Sequence, residues 1–246
     1  MKRLVGYITS AYPDRNFTID LILAMKEKGL DSVELGIPFS DPVADGPVIE
    51  EANVRALQKG FKFADVLAIT EAVADKVDTL WMGYFNPFYH RGMERSIQEA
   101  KELGVSGFII PDMPYEESLA YRALFDEADM ALIDFVAPTD SKERIAKILK
   151  DSKKFVYLVA YAGITGAEKK EELGDVIGWI REATDTPVYI GFGVNEKTAK
   201  EKAKDVDGVI VGSAFVKILL DEDLTNSQKI AKIAELSGKI KELINS

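Results

Sequence analysis

The sequence has no cysteine and only one histidine among its 246 residues. Without cysteine, the chain cannot form disulfides, thiolate nucleophiles or cysteine-ligated zinc sites. The lone His90 cannot form a cluster of histidine ligands, so we expect no metal site. The lack of cysteine also agrees with a reducing compartment, which favours a cytoplasmic protein.

The sequence also lacks an apolar run of membrane-spanning length. Even the apolar stretch "GVIVGSAFVKILL" is interrupted by Lys217. The N-terminal "MKRLVGYITSAYPD" begins with two basic residues, but Pro13 and Asp14 end its apolar run too early for a signal peptide. We therefore expect neither membrane insertion nor secretion.

The chain also has fewer basic residues than acidic ones. Acidic residues outnumber basic ones by 41 to 31, and the formal charge is -10. Nucleic-acid binding has little electrostatic support in such a chain, because no cluster of Lys or Arg interrupts the acidic background. A small anionic substrate would need a local binding site that overcomes this charge.

Eight short apolar segments, rich in β-formers, recur along the chain. Their apolar residues are nearly continuous rather than alternating, as in parallel strands that are covered on both faces. The segments are "LVGYITSA", "DSVELGI", "TLWMGYF", "GFIIPD", "ALIDFVAP", "FVYLVAY", "PVYIGFG" and "GVIVGSA".

Helical patterns lie between these segments, for example "DRNFTIDLILAMKEKG", in which Gly29 occupies a typical position after a helix end. Eight strand–helix units in about 250 residues favour a closed α/β fold, a (β/α)8 TIM barrel formed as a single domain by residues 1–246. A doubly wound open sheet is the alternative. The C-terminal "SQKIAKIAELSGKIKELIN" predicts a helix on the outer wall.

Glu34 lies inside the second predicted strand, near its C-terminal end, where the active sites of barrels are found. Burying an unpaired carboxylate costs several kcal/mol or raises its pKa. A raised pKa would suit a general acid or base. The alternative is a structural glutamate that accepts hydrogen bonds from neighbouring donors.

Asp45 follows in the loop "VADGPV". An Asp-Gly pair is first of all a turn signature, so a purely structural role is the simpler interpretation. However, the loop follows Glu34 on the same face of the predicted barrel, and the two carboxylates could flank one pocket.

Glycines mark the ends of the last two predicted strands. "GFGV", with Gly191 and Gly193, ends the seventh, and "VGSAFVKIL", with Gly212 and Ser213, ends the eighth and opens a short helix. In barrels these two loops frequently bind phosphate through backbone N–H groups, and glycine allows the close approach. The pair of motifs therefore predicts a phosphate site.

The segment "YAGITGAEKKEE" after the sixth predicted strand has the glycines and threonine of a mobile lid, or of an ordinary surface loop. Tyr7, Tyr84 and Tyr157 lie in or beside strands 1, 3 and 6. They could be core residues, or could line an aromatic-binding pocket if they point upward.

Several of these segments resemble one family, the tryptophan synthase alpha subunit. The resemblance extends from about residue 6 to residue 217, in the family's order. The matching segments are "ELGIPFSDPVADGPVIEEANVRAL", "MGYFNPFY", "IIPDMPYEES", "VYLVAYAGITGA", "GFGV" and "VGSAFVKI".

The resemblance implies a (β/α)8 barrel that cleaves indole-3-glycerol phosphate to indole and glyceraldehyde 3-phosphate by retro-aldol chemistry. Glu34 matches the family's general acid/base, and Asp45 matches its second catalytic carboxylate, which stabilises the indole N–H. The other positions implied in substrate binding are Tyr157, Thr165, Gly166, Gly193, Gly212, Ser213, Tyr84, Tyr7, Met82 and Ile109.

The resemblance also implies a partner, a beta subunit that carries pyridoxal phosphate and receives indole through a tunnel in an alpha-beta-beta-alpha heterotetramer. The cofactor belongs to that subunit, so none is implied for this chain. The loops after predicted strands 2 and 6 and the "NPFY" stretch would lie near the docking face.

The sequence departs from the family pattern in two places. A strand pattern begins by Leu4, where the family usually has a helix beneath the barrel, so the covering of the barrel floor is left open. "TSAYPDRN" replaces a small-Gly-Asp-Pro pattern, and Tyr7 replaces a common phenylalanine.

Three rival functions are compatible with part of the pattern. One is another phosphate-binding barrel that acts on a phosphoribosyl anthranilate derivative, although such families lack "ELGIPFSDPVADG". A second is a binding module that activates a partner without chemistry. The third is a free-standing lyase that releases indole.

Overall fold

The structure, a computed structural model, describes residues 1–160 and 167–246, and the side chains of residues 167–172 lie outside the description. Strands and helices alternate along the chain. The strands are β1 (Arg3–Thr9), β2 (Ser32–Gly36), β3 (Asp78–Met82), β4 (Gly107–Ile109), β5 (Ala131–Leu132), β6 (Asp134–Val136), β7 (Val156–Val159), β8 (Val188–Gly191) and β9 (Gly208–Val211).

The helices lie outside this sheet. They are α1 (Arg15–Glu27), α2 (Pro47–Gln58), α3 (Phe63–Val73), α4 (Phe85–Arg91), α5 (Met93–Glu102), α6 (Tyr115–Glu127), α7 (Lys142–Leu149), α8 (Ala167–Ala183), α9 (Ala199–Lys202), α10 (Ser213–Leu219) and α11 (Asn226–Leu243).

The strands form one parallel sheet in the order β5-β4-β3-β2-β1-β9-β8-β7-β6. β5 and β6 stand at opposite ends of this order, yet only Ile133 separates them in the sequence. The Ile133 N–H donates to the Phe108 carbonyl over 2.9 Å, so the chain continues alongside β4 before it pairs with β7. The fifth predicted strand is thus divided in two, and its halves close the sheet into a nearly complete (β/α)8 barrel. The predicted fold class is confirmed.

α1 shows how the local sequence sets the helices. Asp14 caps its N-terminus by accepting a hydrogen bond from the Phe17 N–H at 2.9 Å. Its end is followed by Gly29 with φ of 95°, a left-handed conformation that glycine adopts without a steric cost. The buried face, which includes Leu21 and Met25, contacts the sheet.

Alternate residues of the strands face inward and outward, because successive side chains of a strand point to opposite sides. Outward-facing residues and the helices form the large outer core. Inward-facing residues form a separate interior cluster that fills the barrel, and it contains Val5, Leu80, Ile109, Ala131, Ile133, Phe155, Tyr157 and Ile210. A third cluster, around Tyr7 with Ala52 and Val216, lies where α2 and α10 approach the end of β1.

The sequence did not predict what covers the floor of the barrel. In the structure, side chains cover it. Lys154 forms an ion pair with Asp78 at 2.9 Å, and the Ser32 hydroxyl donates to the same carboxylate at 2.6 Å. Phe155 stacks on Tyr189 with ring centroids 4.5 Å apart. A polar network and a stacked aromatic pair thus close the N-terminal end of the strands.

The predicted C-terminal helix is α11, whose Thr225 and Gln228 form a capping box. It packs on α1, and Lys241 binds Asp31 at 2.5 Å. In the part of the chain that the structure describes, no helix combines the length and apolarity needed to cross a membrane.

The floor network generates a stability prediction. We expect Asp78→Ala to lower the free energy of unfolding by about 1–3 kcal/mol, because Lys154 and Ser32 lose their acceptor. Urea unfolding at pH 7 would measure the change. Asp75→Ala is the matched control, since that carboxylate is 71% exposed in its pair with Lys76 and its removal should change the stability far less.

The stabilisation that Asp78 provides should depend on pH. Burial opposes ionisation of Asp78, but hydrogen bonds from Ser106, Ser32 and Lys154 outweigh it and lower the pKa of this carboxyl. The stabilisation is therefore complete above about pH 4, the ordinary pKa of aspartate, and decreases as the pH falls through the lowered pKa. Equal losses for Asp78→Ala and Asp75→Ala would contradict the role of the network.

Candidate active site

Glu34 is fixed within the wall of the barrel. β2 pairs with strands on both sides, and Glu34 lies in register with Tyr7 of β1 and Leu80 of β3. The residue is 2% exposed, and its Oε1 has no hydrogen-bond partner among the described residues. Burial, and to a lesser extent the charge of Asp45, raise the pKa of Glu34 to about 8. Glu34 therefore retains a proton at neutral pH.

Asp45 lies in the loop that follows β2, just before α2. The Asn53 amide, nearly two turns into α2 on its buried face, donates to Asp45 Oδ2 at 3.1 Å. Burial raises the pKa of Asp45 to about 6, although hydrogen bonds from Tyr84 and Asn53 lower it in part. Asp45 is thus more acidic than Glu34, and the two carboxyls differ in protonation near pH 7.

Tyr84 connects the loop after β2 with the end of β3. Its hydroxyl accepts a hydrogen bond from the Ala44 N–H at 3.1 Å, and it lies close enough to hydrogen-bond Asp45. Its ring stacks on Phe39 with centroids 5.4 Å apart. Burial, followed by the charge of Asp45, raises the pKa of Tyr84, which keeps the phenol as a neutral donor.

Tyr7 and Tyr157 each lie against a glycine of a neighbouring strand. A Cβ on Gly36 would stand 2.4 Å from the Tyr7 ring, and a Cβ on Gly191 would stand 2.4 Å from the Tyr157 ring. Both tyrosines are buried. Their pKa values are raised, first by burial and then by the carboxylates of the site. Both phenols therefore remain protonated beside Glu34 and Asp45.

Met82 and Ile109 occupy the apolar part of the same region. Ile109 belongs to the interior cluster and is 1% exposed. Met82 is half-buried and contacts both the interior cluster and the cluster around Tyr7. These two apolar side chains therefore pack in the clusters that contain Tyr7 and Tyr157.

The predicted phosphate residues follow β8 and β9. Gly193 has φ of 67° and is exposed, and its N–H makes no hydrogen bond to another described residue. Gly212 is the N-cap of α10 and has no side chain to satisfy the first N–H groups of that helix. Ser213 begins α10 and is exposed. Unpaired backbone donors on adjacent strands could bind an anion here.

Two predicted site residues, Thr165 and Gly166, lie outside the described residues. The structure brings together Glu34, Asp45, Tyr7, Tyr84 and Tyr157 at one end of the barrel. The catalytic and binding roles of all these residues stay predictions.

Three further residues of the site were not found from the sequence. Asn53 holds Asp45, and its only signal was a buried polar residue on an apolar helix face. Phe135 stacks on Tyr157 at 4.8 Å between ring centroids. Phe192 approaches the Tyr157 ring edge-on at 6.4 Å and is 39% exposed. In the sequence, both phenylalanines lie in apolar segments and cannot be told from ordinary strand residues.

The buried carboxyl generates a second prediction. We expect Glu34→Gln to raise the free energy of unfolding by about 2–4 kcal/mol at pH 8–9, because above about pH 4.5 the unfolded wild type ionises Glu34 while the folded protein keeps it protonated up to about pH 8. The pKa is raised in the folded state, so the difference should decrease with falling pH and vanish below about pH 4.5. Chemical unfolding across this pH range would measure it.

The control for this prediction is Glu27→Gln, which changes an exposed glutamate of α1. It should leave the pH dependence of unfolding close to that of the wild type. A Glu34→Gln variant that is less stable than wild type at pH 9 would show that the carboxylate is compensated in the folded protein.

Three comparisons with known proteins agree. The family model described as "Tryptophan synthase alpha chain" matches residues 1–245. The tryptophan synthase alpha chain of Wolinella succinogenes is 58% identical over 247 residues, covering 100% of this chain and 97% of that protein. The counterpart from Methanopyrus kandleri is 37% identical over 97% of this chain and 88% of its own length.

Solved structures show the same similarity. The alpha subunit of tryptophan synthase from Campylobacter jejuni superposes with a TM-score of 0.87 at 32% identity, covering 96% of this chain and 95% of that one. A chain of ligand-free tryptophan synthase from M. tuberculosis superposes with a TM-score of 0.88 at 30% identity, covering 100% and 94% of the two chains. By sequence and by fold, this chain belongs to the tryptophan synthase alpha chain family.

Proposed function

We propose that the chain cleaves indole-3-glycerol phosphate to indole and glyceraldehyde 3-phosphate, a carbon–carbon lyase reaction of the aldolase type. One observation carries the proposal: a buried glutamate with a pKa of about 8 lies near an aspartate with a pKa of about 6, so one carboxyl keeps its proton while the other is ionised.

Glu34 acts first as the general acid. It delivers its proton to the ring carbon that bears the glycerol chain, and the indole ring becomes cationic. The Asp45 carboxylate accepts a hydrogen bond from the indole N–H and stabilises this positive charge. The ionised Glu34 then takes the proton of the adjacent glycerol hydroxyl while the carbon–carbon bond breaks. The bonding electrons return to the ring, the donated proton stays on the ring carbon of the product indole, and Glu34 ends the step protonated by the hydroxyl proton.

The remaining residues bind the two ends of the substrate. Tyr7, Tyr84 and Tyr157 surround the indole ring above Met82 and Ile109. Gly193, Gly212 and Ser213 bind the phosphate through backbone N–H groups and a hydroxyl, and the proposal also includes Thr165 and Gly166. The unpaired Gly193 N–H and the uncapped start of α10 support this phosphate site.

The partner in this proposal is a beta chain that carries pyridoxal phosphate and receives the indole within an alpha-beta-beta-alpha assembly. Two exposed apolar side chains support a docking face beside the loop after β2: Val43 is 81% exposed, and Tyr89 of α4 is 63% exposed. We also propose that residues 1–246 act as one domain and that the protein works in the cytoplasm.

The proposed chemistry predicts the effect of removing the acid. We expect Glu34→Gln to reduce kcat for indole release by about 10²–10⁴-fold, because the amide can neither donate nor accept the transferred proton. Asp45→Asn should also reduce kcat, since the neutral amide cannot stabilise the cationic ring. Indole release from indole-3-glycerol phosphate would be measured with and without a tryptophan synthase beta chain.

Asp41→Asn is the matched control, because Asp41 is an exposed carboxylate of the same loop. In the assay without a beta chain it should retain wild-type activity, and circular dichroism would verify that every variant is folded. A wild type that is inactive with and without the beta chain would refute the lyase and leave a phosphate-binding module. An active wild type that the beta chain neither binds nor accelerates would indicate a free-standing lyase.

The split between the two pKa values predicts a pH profile. The productive form has a protonated Glu34 and an ionised Asp45, so kcat/KM should be greatest between about pH 6 and about pH 8. Activity falls below this range as Asp45 gains a proton, and above it as Glu34 loses one. Steady-state rates from pH 5 to pH 9.5 would show a bell shape, whereas a flat profile would argue against this assignment.

A further inference from the structure

The ammonium of Lys202 contacts the loop that follows β8. Its Nζ donates a hydrogen bond to the Phe192 carbonyl oxygen at 2.6 Å. Lys202 ends α9, and its side chain is partly buried beneath the loop rather than extended into solvent. Burial lowers the pKa of Lys202, which is the cost of bringing this charge under the loop.

The backbone of the same loop is in an uncommon conformation. Phe192 has φ of 69° and Gly193 has φ of 67°, so two successive residues are left-handed, and the first of them is not glycine. A bulky residue in this region is strained, and the surrounding contacts must hold it there. Lys202 supplies one of those contacts.

A second contact acts on the next peptide. The Thr198 hydroxyl donates to the Gly193 carbonyl at 2.8 Å, and the Asn195 amide approaches the same oxygen at 3.4 Å. Two consecutive carbonyl groups, those of Phe192 and Gly193, are therefore drawn toward the segment from Asn195 to Lys202.

Because each peptide group is planar, the direction of a carbonyl sets the direction of the N–H group that follows it. In a trans peptide the carbonyl and the following N–H point in opposite directions. Because the Phe192 carbonyl faces Lys202, the Gly193 N–H faces away from it, and the Val194 N–H faces away from Thr198 in the same manner. Neither N–H donates to another described residue. Two unpaired N–H groups that both face away from the Asn195–Lys202 segment are available to bind one anion.

We propose that Lys202 is a positioning residue for the phosphate group of the substrate: its ammonium holds the Phe192–Gly193 peptide so that the Gly193 N–H is directed at the anion. The inference rests on the proposed phosphate site and adds a side chain to it. The ammonium also polarises the peptide that it binds, which makes the Gly193 N–H a stronger donor. It further places a positive charge beneath an anion site in a chain whose formal charge is -10.

The test compares phosphate affinity with the affinity for a ligand that has no phosphate. Isothermal titration calorimetry on the full chain would measure the dissociation constants of inorganic phosphate and of indole. For Lys202→Met we expect phosphate to bind about five- to tenfold more weakly, the change from losing about one hydrogen bond, with indole affinity within about twofold of wild type. In turnover, KM should rise more than kcat falls.

Three further variants distinguish the placement of the Lys202 ammonium from the simple loss of a positive charge. Lys202→Arg keeps a cationic donor and should recover most of the phosphate affinity. Lys200→Met removes a charge from the exposed side of the same helix and should leave phosphate binding unchanged. Thr198→Val removes the contact to the Gly193 carbonyl without changing the charge, and it should weaken phosphate binding even if Lys202→Met does not fold.

Unchanged phosphate affinity in Lys202→Met, or in Thr198→Val where the first variant does not fold, would overturn the inference. A parallel loss of phosphate and indole affinity would also overturn it, because Lys202 would then merely support the fold of the site. A wild type that does not bind phosphate would remove both this inference and the proposed phosphate site. A wild type that binds phosphate but lacks lyase activity would refute the proposed reaction and leave the role of Lys202 standing.

Discussion

The burial of Glu34, with no compensating charge from any described residue, is the constraint on which the site depends. The residue belongs to a strand that is hydrogen-bonded on both sides, so it cannot reach water by a local movement. A carboxylate in this position is costly, and the protein meets that cost by keeping the group protonated. The low polarity that raises the pKa is also what would make the proton available to a buried substrate.

Neighbouring groups preserve this state because, among the described residues, none offers Glu34 a positive charge. The residues around it are phenols, an aspartate that ionises more readily, and apolar side chains. Asp45 has a different environment, with donors from Asn53 and Tyr84. Two carboxyls in one pocket therefore acquire different proton affinities, and burial sets the larger part of the difference.

Glycine residues determine the shape of the same pocket. At Gly36 and Gly191 a Cβ would overlap the rings of Tyr7 and Tyr157, so the tyrosines fill space that other residues would occupy. At Gly193 the left-handed backbone exposes N–H groups instead. The structure thus combines buried tyrosine rings with unpaired backbone N–H groups, an arrangement suited to the phosphate ester that we propose as the substrate.

The sequence by itself determined the barrel, because eight apolar segments of strand length separated by helical patterns have few ways to bury both faces of a parallel sheet. It also singled out Glu34, since a carboxylate in an apolar strand conflicts with its surroundings. Only the tertiary structure decided how the fifth strand divides at Ile133, and how Asp78 and Lys154 close the floor. It alone revealed that Asn53 binds Asp45, that Phe135 and Phe192 contact Tyr157, and that Lys202 binds the Phe192 carbonyl. Those contacts join residues on different elements, and their pairing depends on the register and twist of the closed sheet, which no local pattern encodes.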